Sequence, residues 1–104
     1  MSDEYVFVAE ADALAVGKSR VVRVNEREVL VCRTQEGYFA VDNLCSHAEA
    51  RLCEGKLKGH KILCPLHGAA FDVRDGSPLS RPATQPVATY DLRVDEQGIA
   101  VRAG

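Results

Sequence analysis

Two short motifs, Cys45-Ser-His47 and Cys64-Pro-Leu-His67, stand sixteen residues apart and constrain this chain more than any other feature. The segment from 45 to 76 holds three of the four cysteines and all three histidines, so metal-binding side chains are concentrated rather than scattered. Each motif offers one thiolate and one imidazole. A zinc finger instead pairs cysteine with cysteine on one arm and histidine with histidine on the other. The mixed arrangement suits a two-iron centre approached from opposite sides, with both cysteines on one iron and both histidines on its partner.

The remainder of the chain supplies a β scaffold. Segments 5–10, 19–24, 27–34 and 37–43 are rich in β-branched and aromatic residues, and Gly17, Asn25-Glu26 and 35–37 separate them with turn chemistry. "EADAL" (10–14) is expected to form at most one helical turn, because no segment sustains a helical period. Strand signals return at 86–94 and 98–103. Before them, 75–86 carries three of the four prolines and is expected to be a rigid, extended loop. The fold class is therefore all-β, an antiparallel β sandwich with a loop-rich insert. At 104 residues the chain is expected to be one domain, 1–104.

Composition narrows the partners. A formal net charge of −2 marks neither a nucleic-acid binder nor a protein drawn to anionic membranes. No run reaches the roughly 18 to 20 apolar residues of a membrane span. The opening "MSDEYVFVAE" lacks the basic and apolar regions of a signal peptide. Cytoplasmic residence is the expectation, and in a reducing compartment metal ligation is a better use of the cysteines than disulfides.

The residues around the ligands carry a family resemblance. "DNLCSH" (42–47), "CPLHG" (64–68), "FDVRDG" (71–76) and the Pro82-Ala83 pair resemble the Rieske ferredoxins, over essentially the whole chain. The resemblance implies one Rieske-type 2Fe–2S cluster held by Cys45, His47, Cys64 and His67. It implies a β-sandwich base (1–42 and 79–104) and a small cluster-binding subdomain at about 43–78. The histidines are then expected at an exposed tip and the cysteines deeper. Gly55 and Gly68 would let backbone approach the cluster, and Pro65 would stiffen the second ligand loop.

Other members of the wider Rieske group fit less well. Membrane-bound respiratory Rieske proteins carry an added cysteine in each ligand loop, but Leu66 stands at one such place and Cys53 lies too far beyond His47. Rieske oxygenases add a non-haem iron held by two histidines and a carboxylate, and only His60 is left over. No GxGxxG fingerprint offers a nicotinamide site. What remains is a non-enzymatic one-electron relay. The resemblance implies a ferredoxin that takes electrons from a flavin-dependent NAD(P)H reductase and passes them to the terminal oxygenase of an aromatic-ring dioxygenase system. The alternatives are a small Rieske subunit of another reductase or oxidase, and a structural zinc-binding domain.

Smaller expectations follow. Ala69 and Phe71 stand where high-potential relatives place Ser and Tyr hydroxyls, so a midpoint near the low end of the Rieske range, about −150 mV, is expected. It should fall with rising pH in the alkaline range. Docking is expected around His47, Ala48, Leu66, His67 and Pro82, over less than about 1,200 Å². Cys32 reads as a small buried hydrophobe and Cys53 as a packing residue. His60 reads as an exposed turn histidine, and Asp72, Asp75, Asp91, Asp95 and Glu96 read as a solvated face and turn formers.

Overall fold

The computed structural model of the protein describes residues 5–10, 13–44, 51–65, 69–79, 85–96 and 98–102. The strands are β1 (Val6–Ala9), β2 (Ser19–Val24), β3 (Arg27–Thr34), β4 (Gly37–Asp42), β5 (Lys56–Lys58), β6 (Lys61–Leu63), β7 (Ala70–Asp72), β8 (Thr89–Asp95) and β9 (Gly98–Arg102). They form a six-stranded sheet of order β1-β9-β8-β4-β3-β2 and a three-stranded sheet of order β5-β6-β7. Every strand pairing is antiparallel.

Turn chemistry sets the first meander. Val24 pairs with Arg27 across a two-residue loop, Asn25 and Glu26, whose φ angles are 50° and 69°. Left-handed backbone at both positions gives the turn a twist that matches the flanking strands. Thr34 pairs with Gly37 across the next turn, where the Thr34 hydroxyl accepts the Glu36 N–H at 3.0 Å. The expected helical turn near residue 10 is represented by the Ala13 N–H bonding to the Glu10 carbonyl, while residues 11 and 12 lie outside the described residues.

The apolar run Val29-Leu30-Val31-Cys32 is buried on both faces, each residue no more than 2% exposed. Alternation sends Val29 and Val31 into one core, with Val24, Ala40, Ile99 and Val101. Leu30 and Cys32 enter a second core with Val41, Leu52, Ile62, Cys64, Ala69, Phe71 and Val87. β3 and β4 are therefore the wall between two cores. β1 and β2, the outer strands of the large sheet, approach each other, so that sheet curls around the first core.

The insert is more ordered than a loop-rich reading implies. Three strands of three residues each cross it, and the row Leu57–Ile62–Phe71 faces the second core. Ile62 and Phe71 are fully buried, each contributing about 1.5–3 kcal/mol of hydrophobic stabilisation. The proline-rich return has no strand among its described residues except a bridge between Pro78 and Phe71. β8 starts at Thr89 rather than 86, because the Val87 N–H is taken by the Gly76 carbonyl at 2.9 Å. Residues 80–84 of that return lie outside the described residues.

Candidate metal centre

The segments that carry the two Cys-His motifs are closed at their roots by backbone pairing. Leu44 and Arg51 form an antiparallel bridge, and the Leu52 N–H donates to the Asn43 carbonyl at 2.7 Å. These contacts close the neck of the segment that carries Cys45 and His47. The second neck continues the β6–β7 ladder: Leu63 pairs with Ala70, and the Cys64 N–H donates to the Ala69 carbonyl at 2.6 Å. It closes the segment that carries His67. Leu52, Cys64 and Ala69 all belong to the second core, so the two necks rise from one apolar floor.

Cys64 is 3% exposed and lies in that floor, which agrees with the deeper position expected for a cysteine ligand. Cys45, His47 and His67 lie outside the described residues, as do Ala48, Leu66, Gly68 and Pro82. Pro65 is exposed beside Cys64. The donor set fits a mixed-ligand 2Fe–2S centre: two thiols and two imidazoles are carried on or between two necks that stand on one floor. Gly55 serves a different contact from the one expected of it. A Cβ there would stand 1.6 Å from the Leu63 carbonyl oxygen, so the residue lets the chain pass against β6.

The remaining candidates do not build a competing site. Among the described residues no group of three or more His, Cys, Asp or Glu side chains gathers around a point. Cys32 is fully buried, and burial pushes its thiol up to about 12, so it stays a neutral core residue. Cys53 is half-buried against the second core; its Sγ accepts the Asn43 Nδ2 at 3.4 Å and its N–H donates to Asn43 Oδ1 at 2.9 Å. His60 is half-exposed at the β5–β6 turn, 3.9 Å from the Asp72 carboxylate.

Asp72 corrects the expectation of a solvated acidic residue. It is 6% exposed, and its carboxylate accepts the Arg74 N–H at 2.9 Å and the Arg74 guanidinium at 2.8–3.3 Å. Arg74 reaches on to Glu36 at 3.2 Å, tying the small sheet to the β3–β4 turn. The side-chain bonds from Arg74 hold the Asp72 carboxyl below the usual carboxylate range. Asp75 is a turn former as expected, and its bonds from Ser77 lower its pKa too. Two exposed apolar residues escaped the sequence reading: Leu44, 55% exposed at the first neck, and Leu79, 45% exposed, whose N–H bonds to the Ala70 carbonyl. Leu44 could have been found by its place directly before Cys45, whereas Leu79 is brought near only by its bond to Ala70.

Known proteins agree with this geometry. Residues 4–91 match the model of the Rieske [2Fe-2S] domain. The chain is 32% identical over 98% of both sequences to the ferredoxin component of the naphthalene 1,2-dioxygenase/salicylate 5-hydroxylase systems of a Ralstonia species. It superposes on the ferredoxin of carbazole 1,9a-dioxygenase from Nocardioides aromaticivorans with a TM-score of 0.93 and 40% identity, covering 98% of this chain and all of that one. A chain from a complex of reduced oxygenase and oxidized ferredoxin in carbazole 1,9a-dioxygenase matches with a TM-score of 0.90 and 34% identity, covering 97% of this chain and 94% of that one. The protein belongs to the Rieske [2Fe-2S] family. Its cofactor is one Rieske 2Fe–2S cluster rather than zinc, and its work is one-electron transfer as a ferredoxin rather than catalysis on an organic substrate.

Proposed function

We propose that this ferredoxin receives electrons from a flavin-dependent NAD(P)H reductase and delivers them to the terminal non-haem iron oxygenase of an aromatic-ring dioxygenase system. Cys45 and Cys64 would hold one iron and His47 and His67 the other, the cluster supplying a single reversible electron. The observation that carries this reading is the pair of closed necks standing on one apolar floor, the first rooting the Cys45–His47 motif and the second the Cys64–His67 motif.

The parts of the chain fit that work. The 43–78 stretch acts as the cluster-binding subdomain and 1–42 with 79–104 as its base. Docking uses the ligand loops, and the exposed Leu44 and Leu79 extend the apolar contact on either side. A carrier must leave one partner to meet the next, so the contact is small, below about 1,200 Å². No described helix is long and apolar enough to cross a membrane, and the cytoplasm is the proposed place of this work. Phe71 is fully buried and offers no hydroxyl, which supports a midpoint near the low end of the family range, about −150 mV.

The decisive measurement is on purified protein: iron and acid-labile sulfide in equal amounts, with the EPR spectrum of a mixed-ligand centre. Replacing both His47 and His67 by alanine should abolish that spectrum. Turnover with a reductase and oxygenase encoded alongside the chain tests the partners. A centre that persists in the double variant would refute the ligand assignment, and failure to support turnover would refute the partners.

A further inference from the structure

Asn43 is fully buried, yet it is polar and stands two residues before Cys45. Its backbone N–H donates to the Glu28 carbonyl at 3.0 Å, and its own carbonyl accepts the Leu52 N–H at 2.7 Å. Its side chain is satisfied at both ends. Nδ2 donates to Glu28 Oε1 at 3.0 Å and to Cys53 Sγ at 3.4 Å, while Oδ1 accepts the Cys53 N–H at 2.9 Å. A buried amide with this full set of partners is held in one orientation.

The same carboxylate also grips the other side of the neck. Arg51 Nε donates to Glu28 Oε1 at 3.1 Å, and Arg51 Nη2 bonds Glu28 Oε2. Asn43 lies just before the Leu44–Arg51 bridge and Arg51 closes it, so Glu28 on β3 clamps both sides of that neck. The Arg51 and Asn43 bonds hold the Glu28 carboxyl below the usual carboxylate range, so the clamp stays charged into more acidic solution than an ordinary glutamate.

We infer that Asn43 and Glu28 are positioning residues for the first ligand loop, fixing where Cys45 and His47 are presented. The inference rests on the assignment of those two residues as cluster ligands. Only an amide serves at position 43. It must donate to a carboxylate and a sulfur on one side and accept a backbone N–H on the other. Aspartate would set a second acceptor against Glu28 Oε1, and alanine would leave the Cys53 N–H and the Glu28 oxygen without this partner. Groups that orient a metal's ligands influence affinity by about 10- to 100-fold when removed.

The test measures the holoprotein in two ways that simple loss of stability does not reproduce: the rate of cluster loss to an iron chelator, and the EPR spectrum. Asn43→Ala and Asn43→Asp should each lose the cluster about tenfold faster and shift the EPR signal. A substitution at Ile99, in the opposite core and chosen to match the fall in Tm, should change neither. The inference is overturned if the Asn43 variants behave like the parent or like the Ile99 control. If Asn43→Ala yields no folded protein, Glu28→Gln alone decides: faster cluster loss supports the clamp, and an unchanged rate overturns it. Persistence of the centre in His47→Ala would instead remove the ligand assignment, an outcome separate from these.

Discussion

Asp72 shows how much one residue's neighbours decide. In the sequence it reads as one acidic residue among several near a turn; in the fold it is buried, bonded by Arg74 and faced by His60. Because its folded pKa is depressed, folding favours the ionised form. That contribution is complete above the unfolded carboxylate value of about 3.9 and is lost as pH falls through the lower folded value. Asp72→Asn should therefore cost about 1.5–3 kcal/mol at pH 7, the worth of hydrogen bonds to a charged group. The gap between variant and parent should close as the pH falls from about 5 towards 2. Urea unfolding across that range checks it, and a constant gap would assign the loss to packing rather than charge. Cys32 was legible because an apolar strand surrounds it. Asp72 was not, because its burial comes from β6 and from an arginine two residues on.

At the level of elements, legibility followed turn chemistry and length. β2 and β3 fall where β-branched content and the Asn25-Glu26 turn place them, and β8 and β9 nearly so. β5, β6 and β7 escaped, since three residues are too few to show a period and two of the three strands carry exposed lysines. The Asn25-Glu26 turn also carries a correctable strain. Glu26 sits at φ 69°, a region that favours glycine by about 1–2 kcal/mol per residue. Part of that gain is offset, since glycine is freer in the unfolded chain. Glu26→Gly should raise stability by about 0.5 kcal/mol, read as a higher urea midpoint at unchanged slope. An unchanged or lower midpoint would mean that the turn is not strained at this position.

The whole molecule is two cores sharing one wall, and they stand in different relation to the cluster. The antiparallel β class was legible, because residue type and turn chemistry carry it, and the two Cys-His motifs stand out as a pair by their spacing. Which strands meet was not, since β1 with β9 and β4 with β8 join distant parts of the chain. The cores differ in what supports them. The first is enclosed by the curled sheet with Leu14 from the β1–β2 connection, whereas the second includes Cys64 and the necks of both Cys-His segments. Metal ligation adds its free energy to the elements it ties together. Removing iron with a chelator should therefore loosen the second core's rim first. In hydrogen exchange, the Leu52 and Cys64 amides, bonded to Asn43 and Ala69, should lose protection before the β2–β3 and β8–β9 ladders do. If instead every strand loses protection together, the shared β3–β4 wall couples the cores so tightly that the cluster stabilises the molecule as one cooperative unit.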